Sequence, residues 1–305
     1  MQHGLDSRLG LDSRLGRGSR LGRDAAQPGS SGADVPELPE VETTKRGIAP
    51  ALLGARVLEA TVRERRLRWP IAANFEATVH GQIVRSVERR AKYILIGFES
   101  GTLILHLGMS GSLRLVKPGV APRVHDHWDL HMDSGWVLRF HDPRRFGSLH
   151  LTTADPHEHP LLQKLAPEPL SDAFDAEYLY RATRKRKVAI KQLLMNSQIV
   201  VGVGNIYASE ALFHAQVAPR RKAGRVTRAE AARMAAAVKR VLSQAILIGG
   251  TTLRDYVDPE GSPGYFRQEL FVYERAGSAC RVCKSPVRQI AQGQRSTYWC
   301  STCQR

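Results

Sequence analysis

The sequence predicts an α+β, multidomain chain, in which a helix leads a set of short β-strands, helices follow, and a metal-stapled hairpin closes the polypeptide. Three observations predict it. Between residues 57 and 151 apolar and polar residues alternate with the two-residue period of half-buried strands. From residue 189 the apolar spacing becomes helical. All four cysteines fall in the last 26 residues, as Cys280-x2-Cys283-x16-Cys300-x2-Cys303. Two close pairs at that separation are the pattern of a zinc site in which four thiolates converge on one metal.

The first 34 residues stand apart from this plan. Gly4-Leu5-Asp6-Ser7-Arg8-Leu9 recurs as Gly10-Leu11-Asp12-Ser13-Arg14-Leu15 and, imperfectly, over residues 16–21. Such a tract has no periodic apolar face, and no apolar run in it reaches secretory length. Asp6, Asp12, Asp24 and Asp34 argue against an organelle transit peptide. A six-residue repeat of this kind looks like translated upstream DNA, and valine codons include a bacterial start codon, so the functional chain is expected to begin at Val35. The expected division is residues 1–35 as an extension outside the functional chain, 36–160 as the strand-rich domain, 161–260 as the helical domain and 261–305 as the zinc finger.

Within the functional part a short helix starts at about Pro39, where proline suits the first helical position and Glu40 and Glu42 complement the helix dipole. Strands are expected at residues 57–62, 83–87, 93–96, 102–107, 112–116, 127–132, 136–140 and 148–151, separated by turns such as Glu99-Ser100-Gly101 and Asp133-Ser134-Gly135. Short strands at this density suggest a β-sandwich or a barrel. Residues 155–169 carry Pro156, Pro160, Pro167 and Pro169 and read as a linker. Helical spacing then covers 189–195, 206–214 and 227–248. Thr227 and Glu230 make a capping box for the last of these, and Gly249 with Gly250 ends it. The tail from residue 265 to 305 is strand-like.

Lys and Arg number 45 against 29 Asp and Glu, giving a formal net charge of +16 and a pI near 10.2. Phosphate backbone attracts such a surface whatever its base sequence, so a polyanionic partner is expected. No apolar stretch approaches the ~18 residues of a membrane span. Clustered, reduced cysteines suit the cytosol.

The chemistry centres on Pro36-Glu37-Leu38-Pro39-Glu40. If Val35 initiates the chain and is trimmed, Pro36 carries a free secondary amine beside a carboxylate. An α-amino group is roughly a tenth neutral at pH 7, against well under ~0.1% for a lysine. Such an amine can attack a sugar carbon and form a Schiff base, dividing one hard displacement into two easier steps. Arg89-Arg90-Ala91-Lys92-Tyr93 is a basic cluster entering a strand, of a kind that often guards a solvated edge. His106-Leu107-Gly108-Met109-Ser110-Gly111-Ser112 and Asp142-Pro143-Arg144-Arg145-Phe146-Gly147 are two loops with apolar tips amid arginines, the composition of wedges that unstack a duplex around an extruded base. Strand alternation puts His125, His127 and His131 on one face, in phosphate or core roles rather than as metal ligands. Val201-Gly202-Val203-Gly204-Asn205 opens a helix and would turn backbone N–H groups toward a phosphate. Lys185, Arg186, Lys187 and Lys191 precede that turn.

Taken together, PELPEVET, RRAKY, HLGMSGSLR, HDH, DPRRFG, APEPLSD, VVGVGNIYASEAL, GGTTLRDY, GYFRQELFVY and the four-cysteine finger resemble the bacterial formamidopyrimidine-DNA glycosylases, from Pro36 to Arg305. The resemblance implies a β-sandwich, a helix–two-turn–helix domain and a zinc finger clamping double-stranded DNA in a basic cleft. It implies a monomeric, cytoplasmic, nucleoid-associated enzyme of base excision repair. That enzyme would excise oxidised purines, 8-oxoguanine and formamidopyrimidines, and then cut the strand by β,δ-elimination as an AP lyase. Residue by residue, Pro36 is then the nucleophile at the sugar C1′, Glu37 the proton donor that opens the sugar, and Glu40 a supporting carboxylate. Lys92 matches the proton donor of β-elimination and Arg295 the arginine of δ-elimination and phosphate binding. His125, Arg144 and Arg186 fall on DNA contacts, with Arg186 giving a forked contact where lysine is common. Met109, Arg144 and Phe146 match the residues that fill the duplex gap, Arg144 facing the orphaned cytosine, and Asn205 one that holds a phosphate. Cys280, Cys283, Cys300 and Cys303 would hold one structural Zn2+. As numbered, Pro36 is an internal amide, so the full-length chain is expected to bind DNA without cutting it. Two alternatives stand beside this: an endonuclease VIII-like enzyme for oxidised pyrimidines, and a non-catalytic zinc-ribbon DNA-binding protein.

Overall fold

The computed structural model describes residues 35–249 and 270–305. The repeat tract 1–34, Gly250, the boundary at 260, most of GGTTLRDY and the start of GYFRQELFVY lie outside the described residues. Helix α1 (Leu38–Leu52) opens the fold. It starts one residue earlier than Pro39, because Glu37 takes the N-cap position and the Glu37 N–H donates to Glu40 Oε2 at 2.9 Å. Eight strands follow: β1 (Val57–Val62), β2 (Ser86–Arg90), β3 (Tyr93–Phe98), β4 (Gly101–His106), β5 (Ser112–Val116), β6 (Asp126–Met132), β7 (Val137–His141) and β8 (Ser148–Thr152).

They form two four-stranded antiparallel sheets, ordered β1-β6-β7-β5 and β2-β3-β4-β8. Among the described residues both sheets retain free edges, which makes the unit a sandwich and not a barrel. Alternate residues of each strand meet in one core, where Ile94, Ile96, Leu103 and Leu105 from one sheet face Leu113, Leu130, Leu138 and Phe140 from the other. Trp128 stacks on Phe140 inside it, ring centroids 5.4 Å apart. The one-turn helix α2 (Phe75–Val79), too short to leave a periodic signal, packs against β1.

Two expectations are corrected here. Strand β2 lies three residues later than the 83–87 segment, because Ile83 and Val84 are drawn to the chain at Ala55 and Arg56 instead. Residues 155–169 are no free linker: Leu162 packs on Leu95 and Ile104, and Ala166 packs with Ala91 and Val201. Leu162 thereby ties the segment to β3 and β4.

The helices are α3 (Ala176–Thr183), α4 (Ile190–Leu194), α5 (Asn205–His214) and α6 (Arg228–Leu247). Helix α3 was not expected; Asp175 caps it by accepting from the Tyr178 N–H at 2.6 Å. Thr227 and Glu230 form the foreseen capping box on α6. Ala208, Ala211 and Leu212 of α5 and Met234, Val238 and Leu242 of α6 share a second core. Strands β9 (Arg288–Gln292) and β10 (Arg295–Trp299) form the terminal hairpin. It docks on the end of α5 through Phe213, Val272, Cys280 and Cys300, and through Gln304, whose Nε2 donates to the Val217 carbonyl at 3.0 Å.

Candidate active site and metal centre

The site begins where α1 meets the first turn of α5. The buried Glu37 carboxylate accepts from the backbone N–H groups of Gly204 at 2.7 Å, Ile206 at 3.0 Å and Tyr207 at 3.4 Å. A helix N-terminus offers such donors to any anion. The glycine-rich turn therefore receives a carboxylate of its own chain where a phosphate was expected. Gly204 permits this approach, since a Cβ there would overlap the Glu37 carboxyl carbon. Glu40 completes the corner, its Oε1 accepting from the Tyr207 hydroxyl at 2.6 Å. Burial, opposed by Lys92 and by the Ile206 and Gly204 N–H groups and assisted by Glu40, pushes the Glu37 carboxyl above its ordinary pKa. Such a group holds its proton to higher pH than a solvated glutamate and can act as an acid.

A cavity of ≈270 Å3 adjoins this corner, lined by Lys92, Lys191, Gly204, Gln292 and Arg295 among others. Lys92 enters it from the two-residue turn between β2 and β3. That turn bends at Ala91, with φ of 56°, and the Ala91 N–H donates to Glu168 Oε1 at 2.7 Å. Arg89 and Arg90 do not guard a solvated edge. Arg89 pairs with Glu42 at 3.0 Å and Glu168 at 2.8 Å, and Arg90 pairs with Glu168 at 2.9 Å, so both brace the turn that aims Lys92. Burial lowers the Lys92 pKa, with Glu37 and Glu40 opposing and Arg295 adding to the drop. Arg295, exposed at the start of β10, faces the cavity from the hairpin side. Lys191, 1% exposed, was noticed in the sequence only as flanking charge. Its Nζ donates to Asn205 Oδ1 at 2.6 Å, Thr297 Oγ1 at 2.8 Å and the Ser296 carbonyl at 3.1 Å, and burial brings its pKa down to about 7.

Pro36 is buried directly before Glu37. The DNA-contact candidates lie on surrounding loops. Arg144, Phe146, His125 and Arg186 are exposed and Met109 is half-buried. The Arg144 guanidinium sits 5.1 Å from the Phe146 ring centroid. His125 leaves the strand with φ of 73°, so it does not share a face with the buried His127, whose Nε2 lies 2.7 Å from the Asp142 carbonyl. Asn205 begins α5 and spends its Oδ1 on Lys191.

At the hairpin, the four thiol sulfurs of Cys280, Cys283, Cys300 and Cys303 lie within 4.8 Å of one another. Tetrahedral zinc with Zn–S bonds of ~2.3 Å needs sulfurs about 3.8 Å apart. The Cys280–Cys303 separation of 3.9 Å matches that edge, and Cys283 and Cys300, 3.3 Å apart, lie slightly inside it. Four protein ligands fill the shell, so the Zn2+ is structural.

Successive stretches match the formamidopyrimidine-DNA glycosylase N-terminal domain over residues 35–149, the H2TH domain of the same enzymes over 165–257, and a zinc finger found in FPG and IleRS over 277–305. The chain is 58% identical over 271 residues to the formamidopyrimidine-DNA glycosylase of Thioalkalivibrio sulfidiphilus, covering 89% of this chain and 100% of that relative. The chain belongs to the formamidopyrimidine-DNA glycosylase family. Another member, from Pseudomonas entomophila, is 55% identical over the same coverage. The fold superimposes on the MutM (Fpg) protein of Thermus thermophilus with a TM-score of 0.78 at 39% identity, over 88% of this chain and 98% of that one. It superimposes on Lactococcus lactis Fpg in complex with abasic-site DNA with a TM-score of 0.81 at 28% identity, over 88% of this chain and 99% of that one. The formamidopyrimidine-DNA glycosylase architecture explains why Tyr207, Glu168 and Lys191 escaped the sequence reading. Each acts on a residue far along the chain, and only a charged residue inside the apolar run Ala189-Ile190-Lys191-Gln192-Leu193 hinted at one of them.

Proposed function

We propose that the protein is a bifunctional DNA glycosylase and AP lyase of base excision repair, acting on oxidised purines in double-stranded DNA as a monomer alongside the nucleoid. Pro36, once its nitrogen is a free amine, attacks C1′ of the damaged nucleotide. The N-glycosidic bond breaks with its electron pair leaving on the base, which takes up the proton that the Pro36 nitrogen loses; Glu37 then protonates the sugar ring oxygen as the C1′–O4′ bond opens and the nitrogen lone pair forms the C1′ iminium. The resulting iminium acidifies the C2′ proton, whose removal expels the 3′ phosphate; a second elimination expels the 5′ phosphate. Lys92 moves protons in the first elimination, and Arg295 holds phosphate in the second. His125, Arg186 and Asn205 grip the backbone, while Met109 and Phe146 fill the gap and Arg144 meets the orphaned cytosine. Zinc fixes the hairpin that carries Arg295.

The observation that carries this reading is the desolvated Glu37 acid, seated on a helix N-terminus beside the cavity shared by Lys92 and Arg295. Borohydride trapping on an 8-oxoguanine duplex tests it. A chain begun at Pro36 is expected to form a covalent adduct, and the full-length chain only a non-covalent complex. Trapping confined to oxidised pyrimidines would instead assign the endonuclease VIII specificity. A Pro36-terminated chain that binds and never traps would be a DNA-binding protein without chemistry.

A further inference from the structure

The two loops that carry Met109, Arg144 and Phe146 are joined by a group with no part in the chemistry above, the Asp142 carboxylate. Asp142 is 0% exposed. Its Oδ1 accepts from the Ser110 hydroxyl at 2.6 Å and from the Arg144 N–H at 3.3 Å, while Oδ2 accepts from the Gly147 N–H at 2.7 Å. The Ser110 oxygen also accepts from the Arg144 N–H at 3.3 Å, so hydroxyl and carboxylate together span the gap between the loops. The backbones touch as well, since a Cβ on Gly108 would collide with the Gly147 nitrogen and the Phe146 carbonyl carbon. A buried carboxylate is costly unless hydrogen-bonded. Here the side-chain bonds that offset the cost come from both loops, so displacing either loop leaves part of the charge unsatisfied.

We propose that Asp142 and Ser110 are a positioning pair that locks the two loops into one rigid wedge, so that filling the duplex by Met109 and meeting the opposite base by Arg144 occur as a single event. The inference rests on the reading that these loops enter DNA. Its consequence is a specificity role: a wedge that can insert only with Arg144 in place couples lesion excision to the identity of the opposite base.

The test uses the zinc-loaded chain begun at Pro36, with single-turnover excision of 8-oxoguanine paired with cytosine or with adenine. Met109→Ala and Arg144→Ala, alone and combined, are measured with Ser110 intact and again with Ser110→Ala. With Ser110 intact the double variant is expected to lose little more than the worse single variant. With Ser110→Ala the losses should multiply, and the preference for cytosine should fall roughly tenfold, the size of one hydrogen bond to a charged acceptor. Ser110→Thr, which keeps the hydroxyl, should restore both. Asp142→Asn, which weakens the same bridge from the other side, serves if Ser110→Ala does not fold. Multiplying losses with Ser110 intact, or an unchanged cytosine preference in Ser110→Ala, would overturn the lock. If neither Met109→Ala nor Arg144→Ala affects excision, the failure lies in the reading of the loops themselves.

Discussion

At the scale of single residues, burial moves Glu37, Lys92 and Lys191 off their ordinary pKa values. Glu37 is raised mainly by desolvation, so its protonated form persists to higher pH than that of a solvated glutamate. Base release that needs this proton should decline as pH rises through the raised pKa. Glu37→Gln is expected to abolish base release while sparing DNA affinity, with single-turnover excision and equilibrium binding measured in parallel; unchanged turnover would remove the role given to this residue. Lys191 moves the other way, to about 7. The unfolded chain then binds the extra proton between pH 7 and about 10.4, so stability rises with pH across that window and is lost as pH falls through 7. Lys191→Met should flatten this rise in denaturant unfolding between pH 7 and 9. It should also leave Asn205 and Thr297 without their shared donor, at about 1–3 kcal/mol. A rise of equal slope in the variant would mean that another group carries the proton.

The decisive element is α5. Its first turn receives Glu37, its Tyr207 holds Glu40, and the buried carboxylate of Glu210 accepts from the N–H groups of Phe271, Val272 and Tyr273 at 2.8, 2.9 and 2.9 Å. One helix thereby fixes both the Glu37–Glu40 corner and the chain entering the zinc hairpin. Gly204→Ala tests this arrangement, because the added methyl occupies the space of the Glu37 carboxyl. Overpacking of this kind costs about 1–3 kcal/mol, and excision should fall far more than DNA binding. A variant of native stability and full excision would show that Glu37 works without its helix seat. Much of the element plan was legible beforehand: β1 and β5 match their expected bounds, and α6 carries its foreseen box. Helices α2 and α3 were not, because each buries only two residues, whereas α4, as short as α2, shows its period through Ile190, Leu193 and Leu194.

For the molecule as a whole, the sandwich, the helices and the zinc hairpin matter because each supplies part of one cavity. Lys92 comes from the first, Lys191 from the second and Arg295 from the third. Chelating the zinc should free the hairpin, displace Arg295 and remove an acceptor pair from Lys191. DNA binding should weaken and the second elimination should fail, seen as accumulation of the β-elimination product on a denaturing gel. The sandwich core lies apart from the cysteines and should keep its strand signal in circular dichroism. A chelated protein that still completes both eliminations would show that the hairpin does not place Arg295. Among the described residues no helix is long and apolar enough to cross a membrane.

The sequence by itself determined the strand-then-helix order and the four-cysteine metal site, because periodicity and ligand spacing are properties of neighbouring residues, and its family resemblance marked Glu37, Lys92 and Arg295 as candidates. Only the tertiary structure decided that the glycine-rich turn binds Glu37, that Arg89 and Arg90 brace Lys92, and that Asp142 joins two loops. Those outcomes depend on which groups meet across long stretches of chain, 167 residues between Glu37 and Gly204 and 79 between Arg89 and Glu168. Burial at such meetings sets the pKa values, and burial is a property of the packed core that no local pattern records.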